Sequence, residues 1–416
     1  MDQTEALIIE TIDRHREEIL EFARDIYSHA ELGYKEFQTS GKFVKKMEQL
    51  GLRTEKGFAI TGVKAYLNED KKENASLALL GELDALRIPE HAFANPETNA
   101  AHCCGHHAQM AGVFGAALAL TVPEIAEKLD GQVVFFATPA EEYGEIEFKN
   151  QLREQGKIRY GGGKCELLRI GAFDDIDLCL THHIRPGNEI LVGSGTGNGF
   201  VSKVIRVLGK ASHAAGAPEK GVNALSAASL GLQALGLNRE TFRDEDCVRV
   251  HPIITKGGNL VNVIPDEVVV ETLVRGKTIE AFTDAAKKTD RSFKAGAIAM
   301  GAKVEISTLP GYLPTLAEEA LPELKHAAEI SASGIPVIEA SGHAGGSTDV
   351  GDVQHLMPVY TFNTGGVKGG LHQIDFEVTD EEEAYIVTAK MFALAAYGLL
   401  KEKAQRSREL VDQYEP

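Results

Sequence analysis

The chain has 416 residues, 43% apolar and 25% charged, with a net charge of −18 at pH 7. That length exceeds what one hydrophobic core organises, so two domains are expected, and the acidic balance excludes nucleic acid and anionic membrane as partners, since both want basic patches. Five cysteines without paired spacing fit reduced thiols, and with no leader-like start and no apolar run near the ~20 residues that span a bilayer, a cytoplasmic location is expected.

Leu7, Ile8, Ile12, Ile19, Leu20, Phe22, Ala23 and Ile26 fall at helical spacing and predict a helix over 4–29. A second helix covers 37–50 and stops at Gly51. Strand-like runs follow at 62–67 and 75–80, the second leading into Glu82-Leu83-Asp84-Ala85-Leu86. A loop over 89–101 then delivers His102-Cys103-Cys104-Gly105-His106-His107 to the start of an alanine-rich helix, 108–120. Imidazole and thiolate are the side chains that a first-row metal such as zinc or cobalt prefers. A lone cysteine packs as a small hydrophobe; five such residues among six point to metal.

The run 132–138 is continuously apolar, as in a strand buried on both faces, and ends in Pro139-Ala140-Glu141-Glu142. A similar run, 177–181, ends in His182-His183. Strands alternating with helices predict an α/β layer architecture, in which ligands sit beyond strand C-termini. Both polar pairs occupy such positions, which predicts that they converge on the Cys/His cluster.

The glycine-rich stretch 193–199 lacks the Lys-Ser/Thr of a phosphate-binding loop and reads as a hinge. Beyond it the order is strand (201–208), helix (223–236), strand (248–255), strand (267–275), helix (279–300), strand (303–308). This β-α-β-β-α-β series is a ferredoxin-like module, complete in itself. It predicts an inserted domain, 197–309, within a first domain built from 1–196 and 310–416. After the insertion come a helix (318–332), a strand (336–339), a loop ending in Ser347-Thr348-Asp349, a strand (359–363) leading to Gly369-Gly370-Leu371-His372, and a closing helix from 381 to 400 or beyond.

The candidate ligands are therefore Cys104, His106, one of Glu141 and Glu142, one of His182 and His183, and His372. Five groups exceed one tetrahedral site but suit two metals about 3.5 Å apart bridged by water or hydroxide. Adjacent glutamates allow one carboxylate to bind metal while its neighbour takes a proton from the water, a task suited to a pKa raised towards neutrality. Together these are hydrolytic equipment for an amide carbonyl.

The order of these motifs resembles the aminoacylase and carboxypeptidase-G superfamily of dinuclear metallohydrolases, and within it the branch of auxin-amino-acid, hippurate and aminobenzoyl-glutamate amidohydrolases. The matching stretches are 82–86, 102–107, 139–142, His183, Gly209-Lys210-Ala211-Ser212-His213 and His372. The resemblance implies a zinc-peptidase-like catalytic domain with helices on both sides of a mixed sheet, and a lid that also dimerises the protein. It implies Cys104, His106, Glu142, His183 and His372 as ligands of two divalent ions (Zn, Mn, Co or Ni), Glu141 as general base, and Asp84 among the catalytic residues. It also implies that His213 reaches a partner subunit's site to support the oxyanion, and that Asn262 and Arg275 hold the substrate carboxylate, for which a guanidinium fork is suited.

Three departures stand out. His107 replaces the family's Asp after Gly-His, so a carboxylate that would orient a ligand is missing. Glu82 replaces the first Asp of Asp-x-Asp. A charged segment, 143–160, is longer than in the auxin-conjugate branch. The expected activity is hydrolysis of N-acyl (or aroyl) amino acids or small dipeptides by a homodimer. The rivals are a peptidase that needs a free amine and a ligand-binding relative without catalysis.

Overall fold

A computed structural model describes residues 1–415. They form two compact units, one comprising Met1–Gly195, Leu316–Gly342 and Asp352–Pro416, the other Thr196–Thr315 and His343–Gly351.

The first unit is built on an eight-stranded mixed sheet. Its order is Arg53–Phe58, Gly62–Leu67, Gln132–Thr138, Ser76–Glu82, Leu178–Ile184, Val359–Thr364, Ile190–Val192, Val337–Glu339. The central strands Ser76–Glu82 and Gln132–Thr138 run parallel in the pairing Ser76 to Gln132 through Glu82 to Thr138, and every residue of both is buried. That burial on two faces explains their unbroken apolar sequence. Their C-termini deliver Glu82 and the Pro139–Glu142 turn to one edge of the sheet, and the neighbouring parallel strand Leu178–Ile184 brings its own C-terminal half there.

The helix His106–Leu120 is buried along its whole length. It packs against the closing helix, Thr388–Asp412, at a distance that only glycine permits. A Cβ on Gly112 would stand 2.5 Å from Thr388 Cγ2, and one on Gly115 would stand 2.5 Å from Ala389 Cβ. Small residues thus set the depth at which the Cys/His cluster is held.

Several elements differ from the sequence reading. The expected helix over 4–29 is two, Gln3–Arg14 and Arg16–Ser28, broken at His15, whose backbone leaves the helical region. Arg53–Phe58, Arg-Thr-Glu-Lys-Gly-Phe, is an edge strand with mostly exposed side chains and one large apolar residue at its end, so it shows no apolar alternation to find. The strand expected to stop at Thr181 continues to Ile184 and carries both histidines. The closing helix, entered through a π-helical turn at Glu382–Val387, extends to Asp412 across a kink at residues 401–404. By length and composition the stretch Glu382–Asp412 is apolar enough to cross a membrane, against the expectation that no such run exists; 89% of its most apolar window is buried inside the protein, as a core helix requires.

The second unit is an antiparallel sheet in the order Arg249–Val250, Glu267–Gly276, Gly199–Leu208, Lys303–Pro310, with Ile253–Lys256 also pairing with Glu267–Gly276. The helices Ala224–Asn238 and Ile279–Met300 complete the β-α-β-β-α-β order. Ile205, Val207, Val268, Val270 and Phe293 form its core. The strand expected over 248–255 is split at His251-Pro252, because proline has no N–H to offer the ladder. The segment His343–Gly351, placed by the sequence reading with the first domain, clusters with this unit. His343–Ala344 pairs in parallel with Thr196–Gly197, and the Asn198 amide donates to Gly345 O at 3.2 Å.

Candidate metal centre

Gly105 sets the local geometry of the cluster. Its φ is +87°, and a Cβ there would lie 2.0 Å from Ile184 Cγ2, so both backbone and space demand glycine. The turn it makes carries Cys104 on its near side and starts the helix at His106. From far along the chain, the N–H of His372 (φ +62°) donates to Cys103 O at 2.9 Å and ties that loop to the cluster.

The two glutamates are fixed through the backbone around them. Ala140 has φ +50°, and its N–H donates to Glu36 Oε1 at 2.8 Å. Glu142 N–H donates to Asp84 Oδ2 at 2.9 Å, and the buried Lys149 ammonium donates to Glu142 O at 2.5 Å. Lys149 belongs to the charged segment 143–160, which is thereby joined to the glutamate turn.

The donor atoms converge. Cys104 Sγ lies 3.3 Å from His183 Nε2 and 3.2 Å from His372 Nε2, and His372 Nε2 lies 3.1 Å from Glu142 Oε1. Cys104, His106 and His183 form one set of donors within 4.8 Å of one another, Cys104, Glu142 and His372 a second, and Glu82, His106 and Glu141 a third. Two ligands on one ion, each about 2.0 to 2.3 Å from it, stand roughly 3 to 3.5 Å apart, which is the spacing of the closest of these pairs. Glu142 Oε1 is buried against the His372 imidazole, and His106 Nε2 is buried without a hydrogen-bond partner. Buried polar atoms are seldom left so; a thiol, three imidazoles and carboxylates at these separations fit divalent cations.

Electrostatics points the same way. Glu82, Asp84 and Glu141 are all buried around His106. The buried Lys164 ammonium meets Glu82 at 2.5 Å and offsets one of these charges, so the acidic side chains outnumber it and a further cation would balance them. Burial pushes the Cys104 thiol well above its ordinary pKa, with Glu142 adding to it. Burial disfavours charge on His106, but Glu82, Cys104 and Asp84 outweigh it and hold that imidazole well above its usual value.

Of the adjacent histidines, His183 faces Cys104. His182 points to the opposite face of the strand, as period-two alternation requires, where its Nε2 meets Thr364 Oγ1 at 2.8 Å and its ring packs on Phe362. His183 is oriented by Ile184 O, 2.8 Å from its Nδ1. His106 Nδ1 lies 2.8 Å from the carbonyl O of Asp84 and 3.2 Å from its carboxylate, which directs Nε2 at the cluster. Glu141 Oε2 stands 3.9 Å from His106 Nε2. Cys103 lies in the hydrophobic core, and His102 is buried with neither ring nitrogen hydrogen-bonded.

His107 turns away from the donors. Its Nε2 meets Tyr385 O–H at 3.2 Å and its ring packs on Tyr27. Burial, then the neighbouring His106, pushes its pKa down to about 3. Glu82 stands by the donors instead, with Oε2 3.2 Å from His106 Nε2. Two residues absent from the sequence reading hold it: Lys164 Nζ at 2.5 Å from Oε1, and Gln109 Nε2 at 2.8 Å from Oε2. Gln109 could have been noticed as a polar side chain in an otherwise apolar helix. Nothing in the sequence around Lys164 signals its reach.

His213, Asn262 and Arg275 lie in the second unit. Ala214 N–H donates to Asn262 O at 3.0 Å, so the first two sit on paired loops. His213 is exposed, and its Nδ1 accepts from the N–H groups of Ala215 and Gly216 at 3.2 and 2.9 Å. That leaves the proton of the neutral ring on Nε2. Arg275 Nη1 donates to Ser347 Oγ at 2.7 Å, and its guanidinium lies 5.3 Å from the Phe200 ring centre.

Residues 78–397 match Peptidase family M20/M25/M40. The chain is 27% identical over 408 residues to the Xaa-Arg dipeptidase of Mus musculus, covering 95% of this chain and 85% of that protein. It is 24% identical to the N-acetyl-L-cysteine deacetylase of Bacillus subtilis (strain 168), covering 94% of this chain and 90% of that one. The solved structure of the Bacillus subtilis YXEP protein, a dinuclear metal binding peptidase from the M20 family, superposes with a TM-score of 0.64 at 24% identity, over 93% of this chain and 99% of its own. The chain belongs to Peptidase family M20/M25/M40.

Proposed function

We propose that this protein is a metal-dependent amidohydrolase that cleaves the amide bond of N-acyl (or aroyl) amino acids or small dipeptides. The observation that carries this reading is the pair of donor sets sharing Cys104, with the buried Glu141 beside them. Cys104, His106 and His183 would hold one divalent ion, and Cys104, Glu142 and His372 the other. Such ions, when bound, polarise the scissile carbonyl and acidify water. Thiolate and imidazole donors admit zinc, cobalt, nickel or manganese.

Glu141 takes the proton of the attacking water and returns it to the leaving amine nitrogen. Asp84 holds the tautomer of His106 through its carbonyl and the Glu142 backbone through its carboxylate. In a homodimer joined through the second unit, His213 would donate an Nε2–H hydrogen bond to the oxyanion of the partner subunit's site. Asn262 and Arg275 would bind the substrate carboxylate. The backbone contacts to His213 Nδ1 support the donor role assigned to it.

Two relatives support the substrate class from different sides, one a deacetylase of an N-acetyl amino acid and one a dipeptidase. The test is a panel of N-acyl amino acids against matching dipeptides, with each metal added back in turn. Turnover of N-acyl amino acids that have no free amine is expected. Turnover confined to substrates with a free amine would favour the peptidase reading, and no turnover with any metal would refute the proposal.

A further inference from the structure

We propose that Glu82 is an additional metal ligand, completing the ion site at His106, with Lys164 and Gln109 as the positioning residues that aim it. The inference rests on the dinuclear reading above.

The argument begins with His106. Its Nδ1 faces the carbonyl oxygen of Asp84 at 2.8 Å, so Nε2 is the nitrogen left for a metal. That atom is buried and has no hydrogen-bond partner. Glu82 Oε2 nevertheless lies only 3.2 Å from it. A carboxylate that merely steadied this ring would have to accept a proton from Nε2, and the coordinating nitrogen carries none. Glu82 must therefore either move aside when the ion binds or bind the ion too.

The surroundings oppose its moving aside. Lys164 Nζ holds Oε1 at 2.5 Å, and Gln109 holds both ends of the residue, donating to Oε2 at 2.8 Å and accepting from the Glu82 backbone N–H at 2.9 Å. Lys164 and Gln109 are completely buried, and Glu82 is 3% exposed. Breaking the Lys164 contact would separate a buried ion pair, a costly event. The separation of 3.2 Å is that of two ligands on one ion, about 3 to 3.5 Å. Lys164 also offsets the extra negative charge that a further carboxylate brings. Glu82, His106 and Glu141 already form a donor set within 4.8 Å of one another.

The test uses the full-length protein stripped of metal and titrated with Co(II), following the visible d–d bands and the bound metal per chain. Wild type is expected to bind two ions. Glu82→Gln, which keeps the shape but weakens the donor, is expected to bind the His106-side ion roughly 10- to 100-fold more weakly, with altered band intensity. The other ion should be unchanged, and His372→Ala should show the reverse loss. Wild type binding two ions with Glu82→Gln matching it in both affinities and spectrum overturns the role of Glu82 alone. Wild type binding fewer than two overturns the dinuclear reading beneath it. A zinc-loaded crystal structure of the wild type decides without any variant: Glu82 oxygen within about 2.2 Å of an ion supports the assignment, and beyond about 3 Å refutes it.

Discussion

Cys104 Sγ stands 3.2 Å from His372 Nε2 although 268 residues separate them, and Cys104 belongs to both donor sets proposed for metal. A shared ligand makes the two ions interdependent. Cys104→Ala is therefore expected to lose one ion outright and to weaken the other, with turnover reduced about 100-fold or more. Elemental analysis of the purified variant checks this. Two ions retained at wild-type affinity would remove Cys104 from both sets.

Glu141 is assigned a different task from its neighbour, and substitutions separate them. Glu141→Ala is expected to keep the two ions while kcat falls about 10²- to 10⁴-fold, the range for losing a general base. Glu142→Ala should instead lose metal, because its Oε1 lies 3.1 Å from His372 Nε2 in the second donor set. Near-normal turnover of Glu141→Ala, or equal metal loss in both variants, would sink the division of labour.

The parts of the site that could be read from the sequence are those carried by strand ends and by the tight cluster around Gly105. A buried strand announces itself by composition, so the Pro139–Glu142 turn is legible as the end of the apolar run before it. The resemblance selects His183 over His182 as the proposed ligand, and the alternation of one strand turns His183 towards Cys104 and His182 towards Thr364. What stayed hidden depends on reach across the fold. Lys164 meets Glu82 across 82 residues and Gln109 meets it across 27, and no local pattern encodes such pairs. The charged edge strand Arg53–Phe58 is not legible because it has little to bury.

Gly105 can be tested apart from chemistry. Gly105→Ala forces an L-residue into φ +87° and drives its Cβ to 2.0 Å from Ile184 Cγ2. The expected destabilisation is about 2 to 4 kcal/mol, combining backbone strain with overpacking. Ile184→Ala in the same chain should recover the steric part and leave the backbone part. Denaturant unfolding of the two single variants and the double variant measures this coupling. Strictly additive losses would mean that the backbone strain alone matters.

Glu318 predicts a pH dependence of stability away from the metal centre. Its carboxylate accepts from Thr361 N–H at 2.9 Å, from Thr361 Oγ1 at 3.3 Å and from the Gln354 side chain. Burial nevertheless dominates these contacts and raises its pKa from 4.5 to about 8. Between those values the folded chain holds a proton that the unfolded chain has released, so rising pH favours unfolding. The stability this group contributes is complete below pH 4.5 and is lost as pH climbs to about 8, a change on the order of a few kcal/mol at most. Glu318→Gln cannot ionise and should escape the loss. Its Tm relative to wild type should rise in its favour from pH 5 to pH 8, read by thermal unfolding at matched ionic strength. A constant difference across that window, or one that moves the other way, would show that Glu318 is already ionised in the folded protein.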